Sequence, residues 1–185
     1  MADSEIAGAG EAAERSDRAG RIVVGISGSL GSLAALHHAV AEARRTDTDV
    51  LALLCWTSPG EELGYRRTPC PAAITAGRDA AVARLRQALD EAFAGRYAGA
   101  RLRCQAVRGD TGHTLVRFAD RPDDLLVLGA GSSRGRLSRV LRPSVTAYCV
   151  RHASCPVLAV PRPPLQRDLE AMERGHGLRA LVAGR

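Results

Sequence analysis

The stretch Leu125–Val160, LLVLGAGSSRGRLSRVLRPSVTAYCVRHASCPVLAV, limits the possible folds more than any other part of the chain. It opens on a wholly apolar run, Leu125–Leu128, bounded by Asp123, Asp124 and Gly129. A run that short, without alternation, suits a strand buried on both faces. Gly129–Arg142 reads as a loop, with Gly129, Gly131 and Gly135 interleaved with Arg134, Arg136, Arg139 and Arg142. A helical pattern starts at Pro143, because proline is tolerated at a first helical position whose N–H has no intrahelical partner. Val145, Cys149, Val150 and Ala153 are expected on the apolar face of that helix. Cys155-Pro156 ends it, and Val157–Val160 reads as another buried strand. Two readings of the loop stay open. Glycine backbone and a helix N-terminus together make an anion site at the end of a parallel strand. Alternatively, the loop simply turns the chain.

The residues before it repeat the alternation. Arg21–Ile26 reads as a first strand, Ser27–Ser32 as a turn, and Leu33, Leu36, Val40 and Ala43 recur at helical spacing through about Arg45. Val50–Trp56 is a second buried strand, and Thr57–Pro71 a long loop rich in proline and glycine, of a length often tied to function. Ile74–Phe93 is a helix striped with Ala81, Leu85, Ala88, Leu89 and Ala92, broken by Gly95–Gly99. Arg101–Val107 alternates polar and apolar residues, so it belongs at a sheet edge with one wet face. Gly109–Gly112 turns into a short helix, Thr114–Ala119. The order β-α-β-α-β-α-β-α-β predicts an α/β, doubly wound parallel sheet with helices on both faces. Such sheets take ligands at the carboxyl ends of strands, where the strand order reverses. The turns Ser27–Ser32 and Gly129–Gly135 would be neighbours there if strands one and four are adjacent. The domain is therefore 21–161. Met1–Gly20, with only Ile6 as a large apolar residue, reads as a disordered arm, and Arg162–Arg185 as a tail with one marginal helix at Leu165, Leu169 and Met172.

Composition removes several function classes. At 185 residues the chain is one domain with tails. Aromatic residues make up 3%, so the core must be aliphatic. The 26 basic residues are all arginine; without lysine there is no Walker-type Gly-x-x-x-x-Gly-Lys loop. The net charge of +6 is spread along the chain, which does not favour nucleic acid as a partner. Cys55, Cys70, Cys104, Cys149 and Cys155 form no CxxC pair, so reduced, packed thiols are expected and a metal site is not. There is no apolar signal core and no run long enough to span a membrane, so a cytoplasmic location is expected. Gly129-x-Gly131-x-x-x-Gly135 is one residue too long for a dinucleotide fingerprint and follows the wrong strand. His37-His38 fits an exposed helical pair, His113 a helix start beside Asp110, and His152 a favourable charge at a helix end. Ser27 and Ser29 would need a nearby base to be nucleophiles, and no such base is placed by the sequence. Trp56 ends the second strand at the ligand-facing edge, where it could line a pocket or pack in the core.

RIVVGISGSLGSLAALHHA, DDLLVLGAG and RPSVTAYCVRHASCPVLAVP resemble the first strand-turn-helix, the fourth strand and the ending of the universal stress protein family. The resemblance covers roughly Arg21–Pro161. It implies a parallel sheet in the order 3-2-1-4-5, a homodimer paired through Val157, Leu158, Ala159 and Val160, and a small cytoplasmic stress-response module that binds rather than catalyses. It leaves open an unknown protein client. Some members bind ATP, and the departures here bear on that. The usual aspartate after the first strand is Ser27. The family's phosphate loop runs Gly-x-x-Gly, nine residues, then Gly-Ser or Gly-Thr. Anchored on Ser144-Val145, this pattern puts Ala130 and Ser133 at the first two glycines and Pro143 at the third; a one-residue shift recovers Gly129. Pro143 has no N–H to give a phosphate. One bond to a charged group contributes about 1.5–3 kcal/mol, so its loss alone costs about tenfold in affinity. The nucleotide-contact set implied is Ser27, Gly28, Ser29, Leu54, Gly129, Ala130, Gly131, Ser132, Ser133, Arg134, Gly135, Arg142, Ser144 and Val145. Weak ATP binding and a purely interacting dimer with a degenerate loop are the two functional expectations.

Overall fold

The computed structural model describes residues 20–57, 71–94, 101–130, 144–161 and 164. Nine elements alternate along them: β1 (Ile22–Ile26), α1 (Leu30–Thr46), β2 (Val50–Trp56), α2 (Pro71–Phe93), β3 (Leu102–Arg108), α3 (Thr111–Phe118), β4 (Leu125–Gly129), α4 (Val145–His152) and β5 (Val157–Val160). The strands form one five-stranded sheet in the order β3-β2-β1-β4-β5, and every pair is parallel. The expected N-terminal arm (1–19), most of the loop after β2 (58–70), residues 131–143 and nearly all of the C-terminal tail lie outside the described residues.

The core has two halves, one on each face of the sheet. Ala35, Leu36, Ala39, Val40 and Ala43 of α1 and Ala81, Leu85, Ala88 and Leu89 of α2 cover Ile22, Val24, Ile26, Ala52, Leu54 and Trp56. On the other face Leu115, Ala119 and Cys149 cover Val23, Leu53, Leu126 and Leu128. The alternation of Val23 with Val24 and of Leu53 with Leu54 between these groups is the period-two geometry of strands buried on both sides. Alanine on the inner faces of α1 and α2 lets the helices lie close to the sheet. A buried leucine such as Leu36 or Leu54, at 0% and 2% exposure, contributes about 1.5–3 kcal/mol. Alternation along β3 likewise placed it correctly at an edge, with Arg103 and Gln105 exposed.

At the amino ends of β1 and β4 a buried carboxylate ties the strands together. Asp124, 1% exposed, accepts from the backbone N–H of Arg21 at 3.0 Å and of Arg121 at 3.3 Å. The Arg21 guanidinium reaches Asp120 at 2.9 Å and the Phe118 carbonyl at 2.6 Å.

Three local expectations are corrected. The turn after β1 is shorter than Ser27–Ser32, since α1 starts at Leu30 behind the N-cap Ser29. Likewise α2 starts at Pro71 and α3 at Thr111, each some residues before the apolar stripe that announced it. The last helix starts at Val145 behind the N-cap Ser144, so Pro143 precedes it rather than opening it, and the helix ends at His152. Its apolar face is also narrower than expected. Cys149 is fully buried, but Val150 is 63% and Val145 39% exposed. A single residue step rotates the helix by about 100°, which turns Val150 away from the sheet that Cys149 faces.

Candidate functional site

Adjacent β1 and β4 lead to helices on opposite faces of the sheet, which opens a crevice above their carboxyl ends. The turn after β1 forms one wall. Gly28 takes φ +79°, a conformation that a side chain disfavours, and a Cβ there would meet nothing within 4 Å, so it borders open space. Ser29 caps α1 by accepting from the Ser32 N–H at 3.3 Å. Ser32, 5% exposed, knits the turn together: its Oγ accepts from the Ser27 N–H at 3.2 Å and donates to the Ser29 carbonyl at 2.8 Å. The Ser27 and Ser29 hydroxyls are 3.0 Å apart. Ser27 thus pairs with another serine, not with a base that could make it a nucleophile.

The end of β4 forms the floor. A Cβ on Gly129 would lie 2.5 Å from the Gly31 carbonyl oxygen and 3.1 Å from the Ser32 nitrogen. Only glycine permits this backbone-to-backbone contact between β4 and the first turn of α1. The Ala130 N–H donates to the Val160 carbonyl at 2.7 Å, and the Thr146 hydroxyl reaches the Gly129 carbonyl at 3.5 Å, which ties the floor to β5 and α4. Ser144 caps α4 by accepting from the Ala147 N–H at 3.0 Å.

Three helix N-termini therefore meet this end of the sheet, and their caps differ in charge. The third, α3, is capped by Asp110, which accepts from the His113 N–H at 3.0 Å. Its own carboxylate already balances that helix end. The caps of α1 and α4 are neutral serines, and neither helix carries an acid in its first turn. Their partial positive charge is left for something else.

The structure thus brings Ser27, Gly28, Ser29, Gly129, Ala130, Ser144 and Val145 around one crevice. Leu54 is in the core at 2% exposure, so its side chain does not face solvent. Gly131, Ser132, Ser133, Arg134, Gly135 and Arg142 lie outside the described residues. Sequence reading passed over Gly31 and Ser32. The spacing Ser29-x-x-Ser32 behind a strand was the available signal, since it is the spacing of a helix cap to its third residue.

The cysteines of the other face are unsuited to chemistry. Cys55, Cys104, Cys149 and Cys155 are free thiols. Burial pushes Cys55 and Cys149 up to about 11, with Asp110 adding to the shift at both. Among the described residues no group of three or more His, Cys, Asp or Glu side chains could hold a metal ion. None of the described helices is long and apolar enough to cross a membrane.

The profile of the universal stress protein family matches residues 19–161, the whole sheet and every described helix. The chain belongs to this family. Among solved structures, a universal stress protein in complex with cAMP is 25% identical, with a TM-score of 0.59, covering 78% of this chain and 98% of its own. The universal stress protein UspA from Lactobacillus plantarum is 26% identical, with a TM-score of 0.55, covering 76% of this chain and 97% of its own. Among curated protein sequences no match was found.

Proposed function

We propose that this universal stress protein is a cytoplasmic homodimer that acts by binding rather than turnover, and that it holds an adenine nucleotide weakly in the crevice above β1 and β4. The observation that carries this reading is the contact of Gly129 with Gly31 and Ser32, which sets the neutral-capped N-termini of α1 and α4 beside one strand end. Backbone donors of that kind suit a phosphate. The relative solved with cAMP supports an adenine nucleotide as the ligand class.

The residues present fit such a ligand in part. Gly28 borders open space, and the N–H groups of the first turn of α4 have no intrahelical acceptor beyond the one Ser144 supplies. Against a tight site stand Ser27, which brings no carboxylate, and Pro143, which brings no N–H. Arg134, Arg136, Arg139 and Arg142 take over the phosphates in this reading, each able to donate two parallel bonds. Their side-chain entropy keeps the affinity modest. The dimer pairs the free edge of β5, Val157–Val160, with the exposed Val150 alongside.

Calorimetry with ATP and cAMP tests the nucleotide. Binding that weakens with salt, loses its salt dependence in Arg136→Ala/Arg139→Ala, and strengthens in Pro143→Gly is the expected result. Absence of heat in both the native chain and Pro143→Gly refutes it. The second reading, a dimeric interaction module without a nucleotide, is favoured by Ser27 and Pro143 and would then stand. Light scattering that gives a monomer at high micromolar concentration would remove the dimer from both.

A further inference from the structure

Trp56 is the chain's one tryptophan and ends β2 on the carboxyl side of the sheet. Its side chain belongs to the core group that also holds Ile26, Leu54, Ala81 and Leu85, and it is 7% exposed. Its indole Nε1 is buried, yet it finds no hydrogen-bond partner among the described residues. Buried indole N–H groups are normally paired, so this one stands out.

The surroundings indicate where the donor is directed. The benzo edge faces α2: a Cβ on Gly77 would be 2.7 Å from Cζ3, 3.2 Å from Cε3 and 3.6 Å from Cη2. Nε1 is on the opposite edge of the ring and is therefore turned away from α2. On that side β1 stops short. Its last residue, Ile26, pairs with Leu54, so β2 runs two residues further, to Trp56. At about 3.3 Å per residue, Trp56 stands some 6–7 Å beyond the end of β1, beside the turn that Ser27 opens.

We infer that Trp56 is the base-selecting residue of the crevice, its indole N–H donating to an acceptor on the edge of a purine. This rests on the nucleotide reading above and adds the base end to it. A phosphate is the wrong occupant, since the group around Trp56 is aliphatic and supplies no cation. A flat heteroaromatic ring with one in-plane nitrogen acceptor matches both the apolar wall and the lone donor. Gly77 gives the indole its seat, as only a residue without a Cβ leaves room for the benzo edge.

With one tryptophan in the chain, the indole gives a single side-chain cross-peak in a proton–nitrogen correlation spectrum. In a titration of the full chain with ATP, that proton is expected to move downfield and to saturate along the calorimetric binding curve. Calorimetric binding with an unmoved indole peak would overturn the assignment and leave the nucleotide reading intact. Absence of both heat and shifts would remove the nucleotide reading and this inference together. The 1-deaza, 3-deaza and 7-deaza analogues of adenosine then identify the acceptor. One of them is expected to bind about three- to tenfold more weakly than adenosine to the native chain, and equally well to Trp56→Phe. Equal binding of all three to the native chain would overturn the donor role.

Discussion

Gly77→Ala sets two well-characterised effects against each other at one residue. Gly77 is inside α2, where alanine is favoured over glycine by about 0.8–1.0 kcal/mol. By propensity alone the substitution stabilises. The new methyl, however, would be 2.7 Å from Trp56 Cζ3 and 3.2 Å from Cε3. The ring is 7% exposed and held between α2 and the end of β2, so it cannot swing clear. Overpacking of this kind costs about 1–3 kcal/mol. The difference is a net loss of about 0–2 kcal/mol, opposite in sign to the helix rule. In a Trp56→Leu background the ring edge is gone, and Gly77→Ala is expected to stabilise by nearly the full alanine increment. The coupling between the two sites is then about 1–3 kcal/mol. Urea denaturation followed by circular dichroism measures all four chains without relying on the tryptophan, and an unchanged m-value licenses the comparison. Stabilisation by Gly77→Ala in the native background, or a coupling below about 0.5 kcal/mol, would refute the packing argument.

Gly129→Ala is expected to cost about 1–3 kcal/mol, because its Cβ meets the Gly31 backbone at 2.5 Å and no flexible side chain can give way; a fall of several degrees in Tm checks it, together with weaker nucleotide binding. Asp124→Ala leaves two backbone donors unpaired and strands the Arg21 guanidinium, so a loss of about 3 kcal/mol in urea is expected, with Asp124→Asn less severe. Burial raises Cys55 and Cys149 to about 11, so the folded state keeps protons that the unfolded chain gives up at ordinary thiol pKa. Stability should therefore be unaffected below pH 9 and fall between about pH 9 and 11, read from urea midpoints at pH 8 and 10.5, with negligible alkylation of these thiols in the folded protein at pH 8.

The order of the sheet was legible because each strand carried its own burial signature. Val50–Trp56 and Leu125–Leu128 are unbroken apolar runs and proved to be buried on both faces, whereas Arg101–Val107 alternates and proved to be an edge. Helix starts were harder to read. The residues that open α1, α2 and α3 are small or polar, Leu30 apart, and apolar spacing begins only where the helix reaches the sheet. Val150 was misplaced for a related reason. In a two-turn helix, four apolar residues spread over more arc than the sheet can cover, and only Cys149 reaches it. The contact of Gly129 with Gly31 was out of reach of any local pattern, because it joins residues 98 positions apart through the placement of β4 beside β1.

The caps explain why the crevice above β1 and β4, and not the rest of the sheet's carboxyl edge, is the place for an anion. A parallel sheet wound in both directions brings every following helix to the same edge, so fold alone distributes positive helix ends along it. At α3 that charge meets the carboxylate of Asp110, which would repel a phosphate as well as cap the helix. At α1 and α4 the serines satisfy a backbone N–H while adding no charge. The field therefore survives only where the Gly129 contact has already brought the two helix starts to one strand end. Trp56 stands on the β2 side of that point, with an apolar ring and one unpaired donor. A ligand with a charged end and a flat, weakly polar end would match the two halves of the crevice in that order. Replacement of the family's aspartate by Ser27 removes a negative charge from beside the anion half. The same change gives up a strong acceptor for the ligand's hydroxyls, so the site trades specificity in its middle for a stronger field at its end.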